Sequence, residues 1–414
     1  MEKFSIKIKK SLNVFFNLFS QPGFSFIFAL IGYLFFSALN GNPFTISSYP
    51  YYNYLADAFL HHQLNLRIIP LDVLDLSPFL GNYYIYWGLL PAIILMPFVA
   101  IFGIGVSDIL LNIVAGAVSV GLAALLLQQA NRRKLIQLTS IKRGILVFFL
   151  AFGTVLITMA PLGGIWYTAQ LIAFVFLMLA YIAAISKDGW KAFFLTGLAL
   201  AAVCLTRNIT VLAGFFPVYY LFKSHLHIKK KKLALYSLIC IFPIFLSVIF
   251  LGYYNWIRFG NPLESGLAYH LMSQTLSDDF QNYGLFNTHY VAKNFYYQYL
   301  AIPFRPREDL FFGSSLFLLS PLWIATFWSI PKKIYRIDVF GLFGSVLPVA
   351  IITLFFLGTG WIQFGPRFSL DFTVPLLLLT AIGIEKWKPK IALIVALISV
   401  VQNIAGIIIL AIVF

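Results

Sequence analysis

A candidate general base stands in the segment 40–84, the first place where acidic, histidine and aromatic residues collect in an otherwise apolar chain. Asn53, Asp57 and His61 are four residues apart, so a helix would place them on one polar stripe. A carboxylate at a lipid boundary is partly desolvated, which raises its basicity and suits it to take a proton from a hydroxyl. Asp57 is therefore our candidate base. The alternative is that Asp57 and His61 form a solvated pair on an interfacial helix.

Candidate phosphate-binding arginines stand at two later places. Arg258 follows a long apolar run, and Arg367 follows the tight turn that Gly365-Pro366 predicts. A guanidinium fork binds a phosphate through two parallel hydrogen bonds, and a fixed cation stabilises the charge that develops on a leaving group. Asp371, four residues after Arg367, could hold it in place, or the two could simply close a helix end. We assign Arg258, Arg367 and His61 to donor binding, with Asp371 in support.

A second group of acids lies in the stretch 256–310. Glu264, Asp278 and Asp279 are the supporting candidates there. Two adjacent carboxylates could coordinate a divalent cation such as Mg²⁺ or Mn²⁺, but on a wet turn they more often form a solvated cap. The sequence assigns no set of metal ligands and does not require a metal.

The elements that must position these residues are membrane helices. Hydrophobic residues make up 61% of the chain and charged residues 10%, and the mean hydropathy is +0.89. These values exclude a water-soluble globular protein. A bilayer core of about 30 Å needs roughly 20 apolar residues per helix. Such runs predict an all-α bundle of about 11–13 spanning helices, at 22–40, 85–104, 107–129, 144–161, 165–186, 191–207, 209–222, 234–254, 311–330, 338–358, 369–384 and 391–413.

The loops between these runs differ in charge. The net charge is +15, and the basic residues cluster in short breaks, which is typical of cytoplasmic loops and excludes a nucleic-acid groove. The long breaks 41–84 and 256–310 hold acids, so we expect both on the outer face. We expect a helix from Tyr51 to Gln63 to lie flat at that surface, started by Ser47, Ser48 and Pro50. One of the runs 85–104 and 107–129 must be re-entrant, split or miscounted, because two full crossings would put the basic loop 131–143 outside.

Several segments carry a family resemblance. They read YNYLADAFLHHQL, GNYYIYWGLLP, MPFVAIFG, NWIRFGNPLESG and FGPRFSLDFTVPLLLL. In this order the chain resembles the polytopic glycosyltransferases of the GT-C superfamily. Within it, the chain looks like the bacterial protein O-mannosyltransferase-like and RgtA/B/C/D-like group, which is similar to glycosyltransferase family 39. The resemblance covers most of the chain in layout through short, degenerate motifs.

The resemblance implies an activity and a departure from it. It implies transfer of a sugar from a polyprenyl-phosphate donor on the outer face of the cytoplasmic membrane, with inversion at the sugar carbon. It also implies a catalytic Asp or Glu in the first outer loop, shortly before a tyrosine. Ser47, Ser48 and Pro50 stand at those positions here. Either Asp57 takes the role, or an acid of another loop does, or the activity has been lost or changed.

These observations predict one GT-C-like transmembrane domain over residues 1–414, with the outer loops 41–84 and 256–310 forming the active site. The predicted partners are a polyprenyl-phosphate sugar, an acceptor that is a glycan, lipid or protein, and membrane lipids, but no nucleic acid. The alternative is a non-catalytic flippase or carrier of lipid-linked glycans. An ion-coupled transporter ranks last, because almost no acids fall near the middle of the apolar runs.

Overall fold

The fold is a bundle of α-helices with one short β-hairpin. A computed structural model describes residues 2–305, 312–330, 337–360 and 363–413. Within these ranges the α-helices are α1 (Glu2–Phe19), α2 (Pro22–Asn40), α3 (Tyr51–Leu60), α4 (Leu90–Phe102), α5 (Asp108–Arg132), α6 (Ser140–Phe152), α7 (Val155–Met159), α8 (Ile165–Ser186), α9 (Gly189–Cys204), α10 (Phe215–Ser224), α11 (Lys230–Phe259), α12 (Gln274–Tyr283), α13 (Val291–Phe295), α14 (Leu316–Leu319), α15 (Ile337–Phe355), α16 (Thr373–Gly383) and α17 (Pro389–Val413).

Shorter elements connect the helices. The strands β1 (Ser77–Phe79) and β2 (Asn82–Tyr84) pair antiparallel, with Ser77 opposite Tyr84. The 3-10 helices are Asn208–Gly214, Leu267–Tyr269, Thr288–Tyr290, Pro321–Ser329, Arg367–Phe372 and Ile384–Lys386, and Tyr296–Leu300 is a π-helical turn. The end of the predicted outer loop 256–310 lies outside the described residues, as do residues 331–336.

The predicted polytopic membrane bundle is confirmed. Among the described residues, eight helical segments are long and apolar enough to cross a membrane. They are Pro22–Asn40, Asp108–Arg132, Ser140–Met159, Ile165–Ser186, Lys230–Phe259, Asp338–Phe355, Arg367–Lys386 and Pro389–Leu410. Several other predicted runs fold as shorter pieces, because Gly, Pro and Thr interrupt them. The chain is an integral, multi-pass membrane protein.

Helix α4 explains why the runs 85–104 and 107–129 cannot both be counted as full membrane crossings. This helix begins near Pro91, contains Pro97 and ends at Gly103, whose φ is +73°. Its 13 residues rise only about 20 Å, which is short of a bilayer core of about 30 Å. α4 packs on α3, the predicted surface helix, and the run 107–129 forms the long helix α5. Of the two runs, 85–104 is therefore the one too short to cross as a straight helix.

Helix α1 was not expected from the sequence, and it docks closely on the bundle. It packs against α6. A Cβ atom added at Gly144 of α6 would lie 1.8 Å from the carbonyl oxygen of Phe16. Only a glycine lets the two backbones approach this closely, as is common where membrane helices touch.

We expect Gly144→Ala to destabilise the protein by about 1–3 kcal/mol, because the new methyl group must push α1 away from α6. Alanine is the better helix former by about 1 kcal/mol, so a loss of stability would reflect packing alone. Thermal unfolding in detergent measures the effect. Gly23→Ala, at a helical position with open space around it, serves as the control and should not lower the melting temperature.

Candidate functional site

A cavity in the described part of the chain, which we call the main cavity, lies where the two long loops meet the ends of membrane helices. Its volume is about 580 Å³. Asn40 at the end of α2 and Ile407 and Leu410 of α17 line its membrane side. The polar residues that line it come from both loops and from the region before α16, and they include Ser47, Tyr49, Asp75, Tyr86, His270, Asp279, Lys293 and Arg367. The cavity therefore joins an apolar side to a cluster of titratable groups.

Asp75 is a carboxylate held in this cavity. Its backbone φ of +64° is in the left-handed region, which Asp tolerates better than most residues. The indole N–H of Trp166 donates to Asp75 Oδ2 at 2.8 Å. Burial raises the pKa of the Asp75 carboxyl, whereas the Trp166 N–H and the charges of His270 and Arg367 act to lower it. A fixed, partly desolvated carboxylate of this kind is suited to accept a proton.

The turn that carries Asp75 is tied down by tyrosines of the first loop. The Tyr49 hydroxyl donates to Asp72 Oδ2 at 2.9 Å, and its ring lies 4.8 Å from that of Trp166. The Tyr51 hydroxyl donates to the carbonyl oxygens of Asp72 and Leu74, at 3.0 and 2.7 Å. These contacts fix the turn from the α3 side.

The second loop reaches Asp75 through its backbone. The Asp75 N–H donates to the Leu271 carbonyl at 2.6 Å, and the Leu271 N–H donates to the Leu76 carbonyl at 2.8 Å. This exchange places His270 at the same cavity. His270 Nδ1–H donates to the Leu267 carbonyl at 2.6 Å, so Nε2 of the neutral ring carries the lone pair. The imidazole lies 4.9 Å from the ring of Tyr86.

Arg367 brings a positive charge to the cavity. Its backbone N–H donates to Gln363 Oε1 at 2.9 Å, and its Nε–H donates to the Gly360 carbonyl at 2.8 Å. The guanidinium carbon lies 5.8 Å from the ring centre of Tyr167 and 5.4 Å from that of Phe368. Neutral partners thus hold Arg367 without cancelling its charge.

Asp371 does not hold Arg367 as the sequence suggested. It accepts from Arg207 Nε–H, at 2.8 Å to Oδ1 and 2.9 Å to Oδ2, and from the Thr210 hydroxyl at 2.6 Å. The reason is geometric. The segment Arg367–Phe372 is a 3-10 helix with about three residues per turn, so residues four apart point about 120° away from each other.

Asp57 forms an ion pair instead of lining the cavity. Arg67 donates to it from Nε at 3.0 Å and from Nη2 at 3.1 Å. His61 Nδ1–H donates to the backbone carbonyl of Asp57 at 2.8 Å, and its side chain is 49% exposed. The predicted helix exists and does place both residues on one stripe. The roles of Asp57 as base and His61 as donor contact stay predictions, and neither residue lines the main cavity.

Arg258 is committed to the fold. The apolar helix α11 extends to Phe259, so Arg258 lies in its last turn and is only 5% exposed. Its guanidinium donates to Ile85 O at 2.7 Å and to Asn255 Oδ1 at 2.8 Å, and it lies 3.8 Å from the ring centre of Tyr254. Phosphate binding by Arg258 stays a prediction, but the described contacts already use its donors.

The other predicted acids are dispersed. Glu264 Oε1 accepts from the Gly266 N–H at 2.6 Å and closes a turn. Asp278 is exposed and accepts from Gln274 at 3.0 Å, whereas Asp279 lines the main cavity. No group of three or more His, Cys, Asp or Glu side chains within the described ranges is arranged to hold a metal ion. The divalent cation stays a prediction, and its ligands are not identified among these residues.

The position where the resemblance implies an acid has a carboxylate from another element. Ser47 donates to Asp108 of α5, from its N–H to Oδ1 at 2.8 Å and from its hydroxyl to Oδ2 at 2.6 Å. The Gly164 N–H also donates to Oδ2, at 2.8 Å. Asp108 is 2% exposed. Its hydrogen bonds join the first loop to the start of α8, next to Ser47 and Gly163 of the cavity lining.

Sequence reasoning missed the residues that the cavity brings together. Asp75 and His270 are nearly 200 positions apart in the chain, and a single hydrogen-bonded exchange between loops makes them neighbours. A local signal did exist for Asp75. It precedes Ser77-Pro78 in a turn and the aromatic run that leads to Trp87. Trp166 follows the Gly163-Gly164 turn and stands in the first turn of α8.

The chain is similar to known proteins in its fold and not detectably in its sequence. The sequence matches no protein-family model and no curated protein. The fold is similar to that of the Archaeoglobus fulgidus oligosaccharyltransferase in the apo form, with a TM-score of 0.50 and 13% identity over 94% of this chain and 55% of that one. Two structures of ArnT from Cupriavidus metallidurans align at TM-scores of 0.44, bound to undecaprenyl phosphate, and 0.45, in the apo state. Each is 12% identical and covers 88% of this chain and 60% of ArnT.

These likenesses bear on the fold. The chain shares the polytopic helical fold of the oligosaccharyltransferase. The chain spans about 55–60% of the length of the solved structures that it matches. The superfamily and the subgroup that the sequence resembles stay predictions.

We expect Arg258→Lys to lower the free energy of unfolding by about 2–3 kcal/mol, because an ammonium group cannot reach the same carbonyl and amide acceptors from a buried position. The melting temperature in detergent measures this loss. Arg132→Lys, at an exposed position at the end of α5, is the matched control and should leave the melting temperature unchanged. An equal effect of the two substitutions would contradict the structural role of Arg258.

Proposed function

We propose that the chain is a glycosyltransferase of the cytoplasmic membrane, which moves a sugar from a polyprenyl-phosphate donor to an acceptor hydroxyl on the extracytoplasmic face. The observation that carries this proposal is one cavity in which Asp75 and the cations Arg367 and Lys293 lie beside apolar ends of membrane helices. A lipid-linked phosphate needs both an apolar wall and fixed cations. The GT-C resemblance of the sequence supports the same reaction class.

The roles follow from the chemistry of the groups. The acceptor hydroxyl gives its proton to the Asp75 carboxylate while its oxygen forms a bond to the anomeric carbon. The bond from that carbon to the phosphate oxygen breaks, and its electron pair leaves with the polyprenyl phosphate. Arg367 stabilises this charge, assisted by Lys293. A single displacement of this kind inverts the sugar carbon.

Asp75 is preferred over Asp57 as the base because of what surrounds each carboxylate. Two nitrogens of Arg67 occupy the oxygens of Asp57, so an acceptor hydroxyl must displace the arginine to reach them. Asp75 accepts a side-chain hydrogen bond from the neutral indole of Trp166 and lines the cavity. Asp57 then serves to hold the end of α3 to the segment that follows it.

The first test is single-turnover release of polyprenyl phosphate from a panel of polyprenyl-phosphate sugars in lipid nanodiscs. We expect Asp75→Asn to reduce release about 10²–10⁴-fold, because the amide cannot accept the proton. Asp278→Asn, an exposed acid of the second loop, should release at the wild-type rate.

The outcomes separate the candidate functions. Loss of release in Asp57→Asn with retention in Asp75→Asn would return the base to Asp57. Equal release by wild type and both variants would place catalysis elsewhere. No release from any donor, with acceptors present, would favour the flippase or carrier, which shares the helices and basic loops but needs no outer base.

The rate should also depend on pH through Asp75. Turnover needs the ionised carboxylate, so it should fall as the pH falls through the pKa of Asp75, which burial raises above the ordinary value of about 3.9. In its charged form His270 lowers the pKa of Asp75, so His270→Gln should move this acid limb to higher pH. A pH–rate profile of single-turnover release measures the shift. His289→Gln changes an exposed imidazole stacked on Tyr283 and should leave the limb in place.

A further inference from the structure

A second cavity adjoins the main one and has a different chemistry. Its volume is about 350 Å³. Tyr86, Trp166, Arg367 and Phe368 line both cavities, so they form a shared wall beside Asp75. A molecule in the second cavity would therefore reach the same reacting centre from the other side of this wall.

The lining that belongs to the second cavity alone combines aromatic rings with neutral polar groups. Trp87 stacks on Tyr86, with ring centres 3.7 Å apart and planes inclined by 23°. Asn208 and Ser265 add amide and hydroxyl groups that can both donate and accept hydrogen bonds, whereas the Thr206 hydroxyl already donates to the Ala202 carbonyl at 2.7 Å. A flat aromatic face beside such groups suits a ring with apolar C–H faces and hydroxyls at its edge.

Two arginines line this cavity, and their partners differ. The Nε–H of Arg207 is held by both oxygens of Asp371, which is 2% exposed. Arg367 belongs to the shared wall and is held by neutral partners. The groups that belong to the second cavity alone and are open to a ligand are therefore aromatic and neutral polar ones.

The two walls of the second cavity are fixed against each other. The Leu90 N–H donates to the Leu205 carbonyl at 3.1 Å. A Cβ atom at Gly88 would lie 2.3 Å from the Leu205 carbonyl oxygen and 2.6 Å from that of Thr206. This close approach holds Trp87 beside the segment that carries Asn208, so the cavity is preformed.

We infer that the second cavity binds the acceptor, and that the acceptor is a carbohydrate whose ring packs on Trp87. This inference rests on the proposed function, since it needs a donor in the main cavity. A long-chain lipid acceptor would leave Asn208 and Ser265 facing hydrocarbon, which costs free energy for each unpaired group. A carbohydrate pairs the same groups with its hydroxyls.

The test uses the full chain in nanodiscs with an active polyprenyl-phosphate sugar from the panel. The acceptors are neutral methyl glycosides of glucose, galactose and mannose, a Ser/Thr-containing peptide, and glycerol. We expect transfer to at least one methyl glycoside. Trp87→Ala should raise the acceptor KM about tenfold and Asn208→Ala several-fold, while donor release to water without acceptor stays at the wild-type rate. Trp87→Phe should restore part of the loss, and Trp190→Ala, at a 50%-exposed position in α9, should have no effect.

Each contrary outcome has a distinct meaning. Transfer to the peptide with none to the glycosides would overturn the carbohydrate assignment. An equal fall in donor release without acceptor would assign the second cavity to the donor and overturn the inference. If no donor is turned over, the proposed function fails, and saturation-transfer NMR with the same methyl glycosides tests the site directly. A signal in wild type that disappears in Trp87→Ala would support the site, and absence of signal in wild type would overturn it.

Discussion

The site depends on one backbone exchange between two loops that are far apart in sequence. The N–H groups of Asp75 and Leu271 donate to the carbonyls of Leu271 and Leu76, respectively. Loops at the edge of a membrane must pair their backbone groups within the protein wherever water is excluded. This pairing fixes the left-handed turn at Asp75, orients its carboxylate toward Trp166, and carries His270 to the cavity. The backbone hydrogen bonds between the two loops therefore determine which side chains meet at the site.

A second constraint is how the protein partners its carboxylates. Asp57 is paired with Arg67 and Asp371 with Arg207, so these carboxylates contribute to structure. Asp108 accepts three hydrogen bonds from Ser47 and Gly164 and closes the rim. Asp75, by contrast, accepts a hydrogen bond from the neutral indole of Trp166. Of these carboxylates, Asp75 is the one that lines the main cavity, and burial raises its pKa.

The fold class was predictable, because hydropathy and loop charge report directly on a bilayer. The predicted helix after Pro50 is also present, as α3. The site was less predictable for a physical reason: spacing on one helix puts Asp57 and His61 on the same side but does not show that Arg67 occupies the carboxylate. The distance from Arg367 to Asp371 likewise implies a contact only in an α-helix, and the segment is a 3-10 helix. Contacts across the chain, such as Asp75 with Leu271, have no local signature.

Two arginines lie beside Phe368, and the partner of each determines what its charge can do. The guanidinium carbons of Arg207 and Arg367 each lie 5.4 Å from the ring centre of Phe368. Arg207 has a buried carboxylate as its partner, whereas Arg367 is held through the carbonyl of Gly360. The charge of Arg207 is therefore used to hold the segment before α16. Arg367 is fixed by neutral groups, so its charge remains available to the phosphate of the proposed donor.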